Sequence, residues 1–203
     1  LNTLGNPIML NRTSLPVVPM LLGSLLLLGE PAMSQSRSSQ PAPPTPTGQP
    51  TGQWVPFQSD KGGFSVLMPS QPTERVQTVN TGTGVVNTYL FSTTLDGGST
   101  NFTVSYVDLP KSVESMPENL VLEAIASGIT GDERFKVLSE RVIKLNDYNG
   151  REIKVESQKK SIVQHRTYIV KQRIYQIAVE VPAVNQARFA GEVERFLNSF
   201  KLL

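Results

Sequence analysis

Apolar and polar residues alternate with a period of two along three segments of the chain, and this pattern constrains the fold more than any other feature. The segments are residues 64–68, 102–106 and 175–181. Successive side chains of a β-strand point to opposite faces of a sheet, so alternation indicates strands with one packed face and one more polar face. The sequence therefore predicts that a β-sheet forms the centre of the fold.

Five further runs have the composition of strands, and turn residues separate them. They are residues 73–79, 85–92, 135–145, 150–157 and 162–170. The strongest hairpin signals are Asp96-Gly97-Gly98 and Asn149-Gly150. Parallel neighbours need long crossover connections, whereas most of these loops are short. We therefore expect a mostly antiparallel sheet.

The first of two helical segments is predicted at residues 116–127. Ser115 and Glu118 have the spacing of a capping box, in which each side chain binds the backbone N–H of the other residue. Gly128 is suited to end the helix. The apolar face of this helix is expected to contain Leu120, Val121, Ala124 and Ile125.

The second helical segment is predicted at residues 184–200, where apolar residues recur with helical spacing. The stripe consists of Phe189, Val193, Phe196, Leu197 and Phe200. We expect it to pack on the sheet, and a partner-binding surface is the alternative. The element order then predicts an α+β fold, a mostly antiparallel sheet with the helices packed on one or both of its faces as an α/β/α sandwich.

The N-terminal segment has the three parts of a secretory signal peptide. Arg12 supplies positive charge, residues 15–28 form an apolar run, and small residues lead to a cleavage site after Ser34. The sequence therefore predicts a cleaved signal peptide at residues 1–34. A retained membrane anchor is the alternative, although the apolar run is shorter than the roughly 20 residues that a spanning helix needs.

Composition changes twice along the rest of the chain. Residues 35–53 are nearly all Ser, Gln, Pro, Thr and Gly, which predicts an extended, disordered linker. Residues 54–203 are predicted to form a single α+β domain. Export places this domain in the periplasm, in the thylakoid lumen or outside the cell, and the mature chain is expected to have no transmembrane span.

The absence of cysteine and the balance of charge exclude several classes of function. Without cysteine there are no disulfides, zinc–thiolate sites or thiol catalysis. The formal net charge is only +2, without a clustered basic run. Nucleic-acid binding requires such a cluster, so no nucleic-acid partner is expected.

No catalytic, cofactor-binding or metal-binding residue is assigned from the sequence. The only histidine, His165, lies in a strand pattern without a nucleophile motif, and we interpret it as a structural residue. Asp132 and Glu133 are expected in a loop after the first helix, and weak calcium binding by loop carboxylates stays open. Arg151 and Glu152 follow a hairpin signal and mark either a recognition site or an exposed ion pair.

Short motifs at both ends of the predicted domain carry a family resemblance. They are Trp54-Val55-Pro56-Phe57, Gly63-Phe64-Ser65-Val66-Leu67-Met68-Pro69, Arg173-Ile174-Tyr175-Gln176-Ile177 and Arg195-Phe196-Leu197-Asn198-Ser199-Phe200. This combination resembles the PsbP-like α/β/α-sandwich superfamily, in particular its small exported cyanobacterial members. The resemblance implies a central antiparallel sheet with helices on both sides. It also implies a non-enzymatic role as an extrinsic or assembly-related subunit of photosystems, on the lumenal face of photosynthetic membranes.

The resulting hypothesis is an exported, non-enzymatic accessory or protein-binding module whose partner is a membrane protein complex. The chain lacks the lipobox cysteine of the cyanobacterial photosystem II subunit, so lipid tethering is not expected. No functional residues are carried over from the family. The alternatives are a small-ligand or metal-ion carrier and a carboxylate-based hydrolase, which would need two convergent acids in a pocket.

Overall fold

The computed structural model describes residues 53–81, 84–113 and 115–203. The described strands are β1 (Val55–Ser59), β2 (Phe64–Met68), β3 (Thr73–Thr81), β4 (Gly84–Leu95), β5 (Thr100–Asp108), β6 (Phe135–Leu145), β7 (Tyr148–Ser157), β8 (Ser161–Val170), β9 (Arg173–Pro182) and β10 (Lys201–Leu202). The helices are α1 (Glu118–Thr130) and α2 (Ala190–Ser199), with short 3-10 helices at Asp96–Gly98, Lys111–Val113 and Ala183–Asn185. The predicted signal peptide at 1–34 lies outside the described residues, as does the predicted linker at 35–53 except for Gln53.

The described strands form two antiparallel sheets. One has seven strands in the order β3-β4-β5-β9-β8-β7-β6, and the other has three in the order β1-β2-β10. The eight predicted strands are all present, and the expectation of a mostly antiparallel α+β fold is confirmed. The sequence did not predict the second sheet, because Pro56 interrupts the sequence pattern of β1 and β10 is only two residues long.

Helix α1 covers one face of the seven-stranded sheet. Its residues Val121, Ile125 and Ile129 belong to a buried cluster with Ile153 of β7 and Val163 of β8. Side chains at alternate positions of these strands point toward α1, so the cluster follows from the period-two pattern of the strands and the helical period of α1.

Helix α2 and the small sheet cover the opposite face. The ring of Phe196 is fully buried and packs edge-on against Phe102 of β5, with 5.3 Å between ring centroids. Phe64 of β2 stacks on Phe200 at 5.5 Å. The apolar stripe of the second predicted helix therefore packs in the core, as expected, and the alternative of a partner-binding surface is wrong. The helix itself begins at Ala190, later than predicted, after a 3-10 turn.

Helix α1 begins and ends later than the sequence predicts. Pro117 occupies the N-cap position and no side chain caps the helix, so the predicted capping box of Ser115 and Glu118 is wrong. The helix also continues through Gly128. A glycine inside a helix costs about 1 kcal/mol relative to alanine. Burying Ile129, which is 1% exposed, offsets this cost because a buried isoleucine contributes roughly 1.5–3 kcal/mol.

The hairpin turn predicted at Asn149-Gly150 lies three residues earlier in the chain, at Asn146-Asp147. Leu145 pairs with Tyr148, so the turn falls between them. Gly150 is instead inside β7, where a Cβ atom would lie 2.5 Å from the carbonyl oxygen of Thr167. This glycine therefore reflects a close approach of β8 and not a turn.

Candidate functional site

An open cleft lies at the end of the sandwich where three turns meet, and we call it the hairpin-end cleft. The β1–β2 turn, the β6–β7 hairpin and the β8–β9 hairpin surround it, together with the end of β5 and with β10. Its volume is about 590 Å³, within the range of ligand-binding pockets. The lining includes Gly63, Asp108, Tyr148, Lys171, Arg173 and Leu202.

Arg173 connects three parts of the cleft wall. Its guanidinium donates two hydrogen bonds to the carboxylate of Asp108, with distances of 2.6 Å from Nε to Oδ1 and 3.1 Å from Nη2 to Oδ2. Its Nη1 also donates to the backbone carbonyls of Lys61 and Gly62, each at 3.0 Å. The hydrogen bonds with Asp108 raise the pKa of Arg173 further above its usual value. One side chain of β9 thus joins β5 to the β1–β2 turn.

Two tyrosines support this arrangement from the core. The guanidinium of Arg173 lies 4.6 Å from the centroid of the Tyr106 ring, and the hydroxyl of Tyr175 donates a 2.7 Å hydrogen bond to the carbonyl of Gly62. The buried hydroxyl of Tyr106 has no hydrogen-bond partner within the described part of the chain. Burial raises the pKa of Tyr106 to about 12, although the charge of Arg173 acts in the opposite direction. This phenol therefore stays protonated at neutral pH.

The turns around the cleft contain residues with left-handed backbone conformations. The φ angle is +66° at Gly63, +53° at Asn146 and +56° at Lys171. Glycine and asparagine adopt this region readily, whereas lysine does so at a cost. The ammonium of Lys171 has no hydrogen bond or ion pair with another described residue. The rim of the cleft therefore carries an available positive charge.

The cleft provides groups for binding. Tyr148, Val170 and Leu202 contribute apolar surface, and Asn146 and Lys171 contribute polar groups. The Arg173–Asp108 pair is already satisfied internally, so it shapes the wall without offering a free charge. A bound segment would therefore meet a lining of mixed polar and apolar surface with a cation at the rim.

His165 lies within β8 and is not among the residues that line the cleft. It is 4% exposed, and its Nδ1 lies 3.3 Å from the hydroxyl oxygen of Thr167. Burial lowers the pKa of His165 to about 4, so the imidazole is neutral at pH 7. This position agrees with the interpretation of His165 as a structural residue.

The exposed ion pair expected at Arg151 and Glu152 is wrong for Glu152, which is buried. Glu152 accepts hydrogen bonds from Nε of Arg166 at 2.5 Å and from Nε of Arg141 at 2.7 Å. Burial alone would raise the pKa of Glu152, but the hydrogen bonds from the two arginines outweigh it and lower the pKa. Arg166 also donates a 3.0 Å hydrogen bond to the carbonyl of Leu197, near the end of α2. The pair therefore anchors this helix to the sheet.

The loop after α1 contains an ion pair between neighbours. Asp132 accepts hydrogen bonds from Nε and Nη2 of Arg134, and these lower the pKa of its carboxyl group. No group of three or more His, Cys, Asp or Glu side chains in residues 53–81, 84–113 and 115–203 is placed to hold a metal ion. None of the helices in these ranges is long and apolar enough to cross a membrane.

The residues that shape the cleft were not predicted as a site. Arg173 and Tyr175 occur in one of the motifs that carry the family resemblance, but the motif does not show what they contact. Asp108 is 65 positions away from Arg173 in the chain, and only the order of β5 and β9 in the sheet brings them together. The sequence signal was therefore the Arg-x-Tyr motif alone.

Comparison with known proteins shows a likeness of fold. No family model matches the chain, and no curated protein matches it in sequence. The structure is similar to that of cyanobacterial PsbP (CyanoP) from Synechocystis sp. PCC 6803, with a TM-score of 0.50 and 9% identity over 80% of this chain and 98% of that chain. The chain therefore has the PsbP-like fold that its sequence motifs predicted.

Two other solved structures are more distant. A protein of unknown function from Pseudomonas aeruginosa has a TM-score of 0.39 and 8% identity, over 70% of this chain and 91% of that chain. The Ran-binding protein Mog1p from Saccharomyces cerevisiae has a TM-score of 0.43 and 9% identity, over 74% of this chain and 95% of that chain.

Proposed function

We propose that this PsbP-like domain is an exported, non-enzymatic protein-binding module that docks on a membrane protein complex through the hairpin-end cleft. The preformed cleft is the observation that carries the proposal. Arg173 and Tyr175 fix the β1–β2 turn against the large sheet before any partner arrives. Prior ordering of a binding surface lowers the entropic cost of association.

The chemistry of the cleft suits a segment of protein. Tyrosine supplies large contact area with little loss of side-chain entropy, and the lining contains Tyr148 as well as the apolar Leu202. The ammonium of Lys171 stands at the rim, where charges guide the approach and orientation of a partner. A lining of mixed polar and apolar surface with a charged rim is compatible with a protein interface that is not permanent.

The proposed compartment and partner rest on the sequence. The signal-peptide pattern at residues 1–34 supports export, and the resemblance to exported cyanobacterial PsbP-like proteins supports a role at a photosynthetic membrane complex, as an extrinsic or assembly-related factor. The fold of cyanobacterial PsbP supports the same assignment at the level of architecture. The protein would then act on the non-cytoplasmic side of the membrane.

Site-directed photo-crosslinking in native membranes tests the proposal. A photoreactive amino acid replaces Lys171 at the rim of the cleft, and a matched variant carries it at Val184, which is 92% exposed and lies at the opposite end of β9. Cross-linked partners are identified by mass spectrometry. We expect subunits of one membrane complex to be labelled from position 171 and not from position 184.

Two results would contradict the proposal. Equal labelling from both positions would show that the cleft is not the docking site, and the absence of any partner would remove the accessory role. An increase in melting temperature with calcium or another small ligand, without a protein partner, would favour the carrier alternative because ligands stabilise the state that they bind.

A further inference from the structure

Strand β6 is the last strand of the seven-stranded sheet on one side. Among the described strands it pairs with β7 alone. Its outer row of backbone N–H and C=O groups faces away from β7, and eight of its eleven residues are exposed. Such an edge is a template for pairing with a further strand.

The side chains on the α1 face of β6 have an ordered pattern of charge. A β-bulge separates Val137 from Ser139, and regular pairing with β7 continues from there to the end of the strand. Beyond the bulge, Glu140, Val142 and Lys144 share one face because they are two residues apart. Val142 is 63% exposed. The edge therefore presents an exposed apolar residue between an acid and a base.

We propose that β6 pairs antiparallel with β6 of a second copy of this chain, about a two-fold axis at Val142. In this register, Val142 of one copy faces Val142 of the other. Glu140 of each copy faces Lys144 of the other copy, so two ion pairs flank the apolar centre. The two seven-stranded sheets join into one continuous sheet, and none of Glu140, Val142 and Lys144 lines the hairpin-end cleft.

The charges select this register over its neighbours. A two-fold axis perpendicular to the sheet keeps each side chain on its own face, so the alternatives move the axis by one residue at a time. An axis at Glu140, Arg141 or Lys144 places a charge opposite itself, which is unfavourable. An axis at Ile143 places Lys144 opposite Val142 and leaves Glu140 with only the contact to Arg151 of its own chain, at 3.4 Å. Of these five axes, the one at Val142 alone sets acid against base.

The neighbouring surface of α1 extends the apolar contact. Leu120, which the helical pattern places on the buried face, is 45% exposed. One turn later, Glu123 lies 3.7 Å from Arg151, which is the β7 neighbour of Val142. Residues three apart share one side of a helix. Leu120 therefore lies on the side of α1 that reaches toward the edge at Val142.

The opposite edge of the sheet lacks this complementarity and supplies a control. Val76 of β3 is 54% exposed, similar to Val142. An equivalent two-fold axis at Val76 would place Glu74 opposite Thr78, so no ion pair forms. Pairing through β3 is therefore not favoured by charge.

Charge reversal tests the pairing on the full chain. The proteins are the unchanged chain, Glu140→Lys, Lys144→Glu and the double variant that exchanges both charges. Sedimentation velocity over a wide concentration range measures self-association, and far-UV circular dichroism checks the fold. We expect the unchanged chain to dimerise reversibly and each single variant to weaken dimerisation about tenfold, because two attractive pairs become repulsive.

Restoring the opposite charges distinguishes the proposed strand pairing from a general effect of surface charge. We expect the double variant to dimerise like the unchanged chain, and an equimolar mixture of the two single variants to form heterodimers. Val142→Asp should abolish dimerisation, whereas Val76→Asp should leave it unchanged. A chain that is monomeric at all concentrations overturns the proposal. Self-association that is unchanged by both charge reversals, or that is lost with Val76→Asp, also overturns it.

Discussion

His165 and Glu152 are buried on opposite faces of the large sheet, and each makes the folded state sensitive to acid. The pKa of His165 is about 4 in the folded state, below its ordinary value of 6.5. The unfolded chain therefore binds a proton below pH 6.5 that the folded chain does not bind. The stability is complete above pH 6.5 and falls as the pH drops toward 4.

We predict that His165→Gln removes this part of the pH dependence. In the unchanged protein, a pKa shift from 6.5 to about 4 corresponds to a loss of about 3 kcal/mol in unfolding free energy as the pH falls across this range. Urea denaturation at several pH values between 4 and 7 measures the loss. Parallel curves for the variant and the unchanged protein would show that His165 is not the titrating group.

The contribution of Glu152 to the unfolding free energy is complete above the pKa of a glutamate in the unfolded chain. Its pKa is lowered in the folded state, so this contribution is lost as the pH falls and the carboxylate becomes protonated. We predict that Glu152→Gln costs roughly 3–5 kcal/mol at neutral pH, since it leaves the guanidinium of Arg166 buried without a countercharge. Replacing both residues, as Glu152→Leu with Arg166→Met, should recover much of this loss.

A double-mutant cycle by chemical denaturation measures the coupling between Glu152 and Arg166. If each single variant costs less than about half a kcal/mol, the usual range for surface positions, the pair does not behave as a buried one. Arg134→Ala is the matched control, because the Arg134–Asp132 pair is exposed and worth little.

The sequence reveals the residue types of this pair but not their partners. Arg151 and Glu152 are adjacent in sequence, which suggests an ion pair, yet neighbouring residues of a strand point to opposite faces. Glu152 therefore meets Arg166 on β8, its partner in the register of β7 and β8. Arg151 contacts Glu140 on the other face. The register between neighbouring strands determines both ion pairs, and local sequence does not encode this register.

At the scale of secondary-structure elements, local periodicity was sufficient for the long strands and for the buried face of α2. It failed for β1, in which Pro56 interrupts the sequence pattern, and for β10, which has only two residues; both strands pair with β2. It also misplaced the start and end of α1, where the burial of Ile129 prevails over the glycine at position 128. Long-range packing therefore determined the small sheet and the ends of α1, which local propensity does not predict.

Removing the ring of Phe196 tests the role of α2 as a core element. Phe196 is fully buried against Phe102, so Phe196→Ala should lower the unfolding free energy by roughly 3–5 kcal/mol. Val184→Ala, at a position that is 92% exposed, should change it by less than about half a kcal/mol. Equilibrium denaturation compares the two. A small effect of Phe196→Ala would mean that α2 does not pack as described.

At the scale of the whole molecule, the fold class could be predicted from the sequence, whereas the hairpin-end cleft could not. Alternation and short loops indicated an antiparallel sheet with helices on its faces, and the motifs indicated the PsbP-like arrangement. The cleft depends on the order of strands in the sheet and on the docking of the small sheet upon it. Asp108 and Arg173 meet only after both have formed.

We predict that Arg173→Lys loosens the attachment of the small sheet. Lysine cannot make the paired hydrogen bonds to Asp108 and also reach the carbonyls of the β1–β2 turn, so the unfolding free energy should fall by about 2 kcal/mol. Hydrogen exchange should increase at residues 61–63. Arg188→Lys, in an ion pair of 3.5 Å with Asp96, should have little effect. Unchanged exchange at residues 61–63 would contradict the role given to Arg173.

The position of β10 has a consequence for how the chain folds. Strand β2 pairs with β1, which is close in sequence, but also with β10 through Ser65 and Lys201. A chain that emerges from its N-terminus cannot complete this sheet until residue 202 is free. Such distant pairings raise the contact order and slow folding. The domain would therefore remain incompletely folded throughout its synthesis, a state compatible with the export proposed above.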